Sequence, residues 1–306
     1  MNAPSSRQYP AAATAFEAPV APLAIAAPID EPIFGAAFQP SGNPLIEPLP
    51  PVADESRDID LLRGGPRWGT MWQQAKQNVR QDYINYYSWN NLRDLALGFA
   101  VASPIANTSL DGGFRDWYQD DVRSKGTDDA ARFFKTFGEG QIFIPSFALL
   151  AVTGQYFADR PLLGTAGDYS GRVTRAYLVG APPMLLMQYV TGAGRPGESE
   201  HGSYWQPFSD NNGVSGHAFM GSIPFITAAR MVENPFAKAT LYGLSTFTGW
   251  SRINDDDHYL SQVVLGWWMG YLACRAVDDT QQADKHLTLT PIATPGMVGV
   301  AMVFSR

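Results

Sequence analysis

The sequence predicts an all-α protein, a helical bundle of about six core helices behind an extended N-terminal arm. Three observations carry that expectation. Six apolar segments of helical length recur between Leu95 and Cys274. Aromatic residues reach 12 % while charged residues stay at 17 %, below the usual quarter, as in an ordered part built on packed rings. Eleven of the 23 prolines crowd between Pro4 and Pro51; each fixes φ and removes a donor, so no continuous helix or central strand fits there.

Residues 1–65 read as a disordered or extended Pro/Ala-rich arm. No continuous leucine-rich run follows Arg7, so a secretory signal is not shown. The helical domain is expected over 66–280. Trp68 to Asn91 interleaves aromatic with polar residues and reads as a helix. The apolar segments then follow as Leu95–Ala106, Ile142–Phe157, Ala176–Val190, Ala218–Ala229, Phe236–Trp250 and Tyr259–Cys274. Between the first two lies a long charged loop, Asn107 to Glu139, with Asp120, Asp121, Arg123 and Lys125, and with a helix of its own around Asp128–Phe137. The tail, 281–306, alternates or runs apolar on either side of Pro295-Gly296, the pattern of a small hairpin.

Most of the apolar segments fall short of the ~18 residues of a clean membrane span, and the mean hydropathy is −0.15. Core helices of a soluble bundle and short spans of a membrane enzyme both remain open, and the nearby Lys and Arg divide almost evenly across any alternating topology. A net charge of −7 argues against nucleic acid. The single cysteine, Cys274, sits in an apolar run; it allows no internal disulfide and no cysteine-based zinc site. There is no GxxxxGKS/T loop, no HExxH and no GxSxG.

Three short stretches collect the residues suited to a phosphate: Gln188-Tyr-Val-Thr-Gly-Ala-Gly-Arg195-Pro196, Val214-Ser215-Gly216-His217, and Ser251-Arg252 with His258 and Gln262 beyond. Ser215 is a natural N-cap for the run after it. Gly216 leaves the amides of a helix start open, where the positive dipole end favours an anion. His217 would stand one residue into that helix, a proton donor suited to neutral pH. Arg252 and Arg195 offer rigid forks of donors matched to phosphate oxygens. Gln262, four residues after His258, shares its helix face and reaches the imidazole.

The order and spacing of these stretches resemble the signature of the type-2 phosphatidic acid phosphatase superfamily, which also includes bacterial acid phosphatases and vanadium haloperoxidases. Its pattern is Lys, six residues, Arg-Pro; then Pro-Ser-Gly-His; then Ser-Arg, five residues, His, three residues, Asp. Arg195-Pro196, Ser215-Gly216-His217, Ser251-Arg252 and His258 match in order. The resemblance implies that His258 attacks phosphorus and forms a phosphohistidine, and that His217 protonates the leaving oxygen and then activates water. It implies that Arg195, Ser215, Gly216 and Arg252 hold the phosphoryl oxygens, with no metal and no cofactor, vanadate entering only for a haloperoxidase. It also implies a phosphorylated small-molecule or lipid substrate and a bacterial, membrane-associated enzyme with an extracytoplasmic site, a soluble periplasmic protein being the alternative.

Three positions depart from the pattern. Val214 replaces proline, Gln188 replaces the lysine, and Gln262 replaces the final aspartate. Gln188 removes one cation. Gln262 can accept the ring N–H of His258 but cannot stabilise an imidazolium by charge; Asp255, Asp256 or Asp257, in the adjoining loop, could stand in. The expected activity is hydrolysis of a phosphomonoester or diphosphate, with a phosphate-binding pseudoenzyme as the alternative and a haloperoxidase third.

Overall fold

The computed structural model describes residues 68–294 and 297–304; the expected arm over 1–65 lies outside them. Helices α1 (Trp68–Tyr86) and α2 (Trp89–Ala106) are followed by α3 (Ser109–Trp117), a π-helical turn (Tyr118–Val122) and α4 (Lys125–Lys135). A 3₁₀ turn (Thr136–Gly138) leads into α5 (Gly140–Tyr156) and the long α6 (Pro161–Thr191). The chain continues through α7 (Gly216–Met231), α8 (Pro235–Leu244), α9 (Phe247–Asn254) and α10 (Leu260–His286). Strands β1 (Leu287–Thr294) and β2 (Met297–Phe304) pair antiparallel, Leu287 opposite Phe304.

The helix starts follow from short polar side chains. Ser88 accepts from the Asn91 amide, Thr108 from Leu110, and Asn234 from Phe236 and Ala237, each satisfying donors that a first turn leaves unpaired. Ser124 and Thr127 form a reciprocal capping box at α4. Three sequence expectations are revised, the first and third by such caps. The helix expected to reach Asn91 stops at Tyr86, because Ser88 opens a new one. The segment Phe236–Trp250 divides into α8 and α9. The stretch Asn107–Glu139, expected as a loop around one helix, is helical almost throughout, capped by Thr108 and again by Ser124. Helix α6 begins well before the expected Ala176, with Pro161 in its first turn, where a missing N–H costs nothing.

Helix α10 is the pillar of the bundle and touches α1, α2, α6 and α7. Leu265, Met269 and Leu272 pack with Val173, Val179, Phe219, Ile223 and Ile226 into a fully buried core. Cys274 is buried in it, and burial pushes its thiol up to about 12. Polar ties fix the order of the helices. Arg175 on α6 grips buried Asp82 on α1 through two bonds of 2.6 and 2.7 Å, and Thr280 on α10 donates to the same carboxylate at 2.7 Å. Arg275 joins α10 to Asn91 and Asp94 on α2. Among the described residues, no helix is long and apolar enough to cross a membrane.

Candidate active site

Helix α6 ends at Thr191 with Gly192 in the left-handed conformation, φ 60°. The chain then turns and presents Arg195. Gln188, still on the last turn, donates its amide N–H to the Val214 carbonyl at 2.7 Å. It therefore borders the next motif stretch, as the spacing implied, but brings a neutral group there.

Ser215 is fully buried and caps α7: its Oγ accepts from the Ala218 amide at 3.3 Å. Its own N–H donates to the Gln262 carbonyl at 2.9 Å. A Cβ at Gly266 would overlap the Ser215 carbonyl oxygen, so glycine permits the backbones of α7 and α10 to touch here. The helix start carrying Gly216 and His217 is thus clamped beside the start of α10.

His258 precedes α10 and is buried. Its Nδ1 lies 2.8 Å from Gln262 Oε1, the i+4 contact expected from spacing. The orientation of that amide follows from its other partners. Gln262 Nε2 stands 2.7 Å from the Gly194 carbonyl, which can only accept, and Oε1 receives the Tyr259 N–H at 3.2 Å. The oxygen therefore faces His258, whose Nδ1 must carry the proton, leaving Nε2 with a free lone pair. Burial, followed by the fields of Arg195, Arg252 and His217, holds the imidazole down to about 3 against the opposing Gln262 bond. It is neutral at neutral pH, as a nucleophile must be.

The acidic loop does not back His258. Asp256, held at φ 60°, takes a bidentate grip from Arg115 at 2.5 and 2.6 Å. Asp257 pairs with Arg252, and Asp255 lies 3.4 Å from the same guanidinium. The suggestion that one of the three replaces the missing aspartate is therefore corrected: arginines claim them all. Arg252 is almost wholly buried, and among the described residues its Nε finds no hydrogen-bond partner; nor does the buried Nε of Arg195, although an Arg195 Nη1 lies 3.5 Å from Glu198. Two buried guanidinium donors beside one histidine suit an anion, since a buried donor left unmet costs about 1–3 kcal/mol.

His217 is half-buried. Burial and then the Arg252 charge lower its proton affinity, while Glu139, 3.6 Å from Nε2, raises it. Gly138 lies against the ring: a Cβ there would come 2.7 Å from His217 Cδ2. Asp111 on α3, fully buried, accepts from the Ser261 amide at 3.0 Å and from its hydroxyl at 2.5 Å, and so pins the first turn of α10 next to His258. Sequence reasoning missed Gly138, Glu139 and Asp111. They sit some 80 to 150 residues from their partners, and no short spacing joins them.

The helical bundle thus brings Arg195, Arg252 and His217 close enough to His258 for their charges to bear on it, beside the capped start of α7. Residues 183–283 match the family model described as the PAP2 superfamily, and the resemblance read from the motifs is borne out over that segment. The match spans every motif position from Gln188 to Gln262. No curated protein and no solved structure matches the chain. The family match supports phosphatase-type chemistry on phosphorylated small molecules or lipids in general.

Proposed function

We propose that the protein hydrolyses a phosphomonoester or diphosphate, lipid or isoprenoid phosphates included, through a phosphohistidine on His258. The observation that carries this reading is the free Nε2 of a neutral, buried His258 set among the unpaired Nε donors of Arg195 and Arg252. In the first step Nε2 attacks phosphorus, the P–O ester bond breaks, and the leaving oxygen takes a proton from His217. In the second, water attacks phosphorus while His217 accepts its proton, and the P–N bond returns its pair to Nε2. Arg195, Arg252, the Ser215 hydroxyl and the Gly216 amide hold the equatorial oxygens and stabilise their charge. No metal or cofactor takes part. The test is phosphate release from p-nitrophenyl phosphate and from phosphatidic acid in micelles. His258→Ala should fall to background; equal rates for the two proteins would overturn the assignment.

A phosphate-binding protein without turnover is the second reading. Gln262 favours it, because an amide oxygen orients His258 but supplies no negative charge to an imidazolium. It predicts that orthophosphate or vanadate binds while no ester is cleaved.

Membrane association belongs to the same proposal. Ile142, Leu149 and Val152 on α5, Leu162 at the start of α6, and Leu185 and Leu186 further along it are exposed, and large apolar side chains of this kind suit a lipid phase. Co-sedimentation with vesicles, followed by a carbonate wash, tests it: recovery entirely in the supernatant before the wash would refute it.

A further inference from the structure

Two arginines meet the phosphoryl group in the reading above, on which this inference rests, but the cation expected at position 188 is missing. We propose that Lys135, from a helix far outside the motif stretches, supplies the positive contact to a phosphoryl oxygen that Gln188 cannot make.

Lys135 is the last residue of α4. That end is fastened to α9, the helix of Arg252, because the Thr248 hydroxyl donates to the Phe134 carbonyl at 3.2 Å. The ammonium lies 3.5 Å from Asp255 Oδ2, and the same oxygen is 3.4 Å from an Arg252 Nη1. Lysine and arginine therefore share one carboxylate oxygen and stand on the same side of the site. Within four residues after Lys135, the chain supplies Gly138, packed on the His217 ring, and Glu139, 3.6 Å from its Nε2. The Lys135 charge is also close enough to lower the proton affinity of His217. One short segment thus lines the His217 flank of the site and begins with a cation.

Chemistry favours this residue over Gln188. An amide donates a neutral hydrogen bond, whereas a charged donor to a phosphate oxygen is roughly twice as strong. Lysine carries its charge on a flexible four-carbon stem, and Lys135 is partly exposed, so its ammonium is free to exchange Asp255 for a bound anion. In the free protein Asp255 holds both Lys135 and Arg252; an arriving phosphate takes over part of that role.

The experiment compares the full chain with Lys135→Gln, Lys135→Arg, Gln188→Lys and the double variant Lys135→Gln/Gln188→Lys. Binding of inorganic phosphate and of orthovanadate is measured by calorimetry, and KM and kcat on p-nitrophenyl phosphate, with thermal melts confirming that each variant folds. Lys135→Gln should weaken both anions and raise KM by about tenfold to hundredfold. Lys135→Arg should keep most of the affinity. The double variant should recover it, since the charge is moved to position 188, and Gln188→Lys alone should gain much less, because Lys135 already makes that contact; equal gains with and without Lys135 would mark it as a neutraliser of Asp255 only. Lys135→Gln within about twofold of wild type, or a double variant no better than the single, overturns the proposal. Wild-type protein that binds neither anion sinks the phosphatase reading and this assignment together; binding that ignores residue 135 sinks the assignment alone.

Discussion

Replacing Gln262 by methionine isolates the group that orients His258. Methionine keeps length and approximate volume but removes one acceptor and one donor. Three partners lose their bonds, two buried and one partly so: the His258 Nδ1–H at 2.8 Å, the Gly194 carbonyl at 2.7 Å and the Tyr259 N–H at 3.2 Å. At about 1–3 kcal/mol for each unmet group, with the longest bond at the low end, the loss should be about 3–7 kcal/mol, a large share of a typical domain's stability. Turnover should fall further than stability explains, because neither the tautomer nor the ring plane of His258 is then fixed; losing the orienting group behind a catalytic histidine costs up to about 10⁴ in kcat. Urea unfolding followed by tryptophan fluorescence gives the first quantity, and p-nitrophenyl phosphate hydrolysis the second. Gln262→Glu separates them. It keeps an acceptor for His258 and Tyr259 but sets a second acceptor against the Gly194 carbonyl, so stability should fall by about 1–3 kcal/mol. Its charge raises the proton affinity of His258, and the rising limb of the pH–rate profile should move to higher pH. A methionine variant that loses under about 1 kcal/mol and keeps its kcat would refute this account of the bridge.

Other expectations follow from single contacts. Glu139→Gln removes the group that raises the His217 proton affinity, so the falling limb of the kcat profile, set by a general acid, should shift to lower pH. Gly138→Ala forces the His217 ring to move; overpacking of this kind costs about 1–3 kcal/mol, and kcat should drop with it, read by thermal melting and turnover together. Because the native state keeps His258 neutral down to about 3 while the unfolded chain protonates near its ordinary 6.5, its contribution is complete above that value and is lost as pH falls toward 3, a few kcal/mol in all. His258→Gln should flatten that part of the stability profile, measured as urea midpoints at pH 7 and pH 4. Asp111→Asn should lower stability by about 1–3 kcal/mol through the Ser261 bonds, with a kcat loss that Ser261→Ala reproduces in part.

Much of this architecture was legible because it is local. Ser215 before an apolar run reads as a cap, and it caps; Gln262 at i+4 reads as the neighbour of His258, and it is. Gly192, in the left-handed conformation, ends α6 before Arg195 is reached. The segment 107–139 was misread because its charges suggest solvent, yet Asp111 is buried on Ser261 and Asp128 accepts from Asn254 at 2.8 Å. Hydropathy registers only how polar a residue is; it carries no record of a partner more than a hundred residues away. The same blindness explains Asp256: three consecutive carboxylates suggest one shared task, but the left-handed turn at that residue aims it at Arg115, away from the histidine.

The family-matched stretch begins at residue 183, yet the ring of His217 rests on Gly138, and the turn that bears His258 is pinned from Asp111. The recognisable module is thus an incomplete machine. Excised or grafted onto another scaffold, it would carry every signature residue and lack the walls that hold two of them still. Homologous exchange within this chain should accordingly be planned with breakpoints upstream of Ser109, so that the borrowed core travels with its own supporting segment.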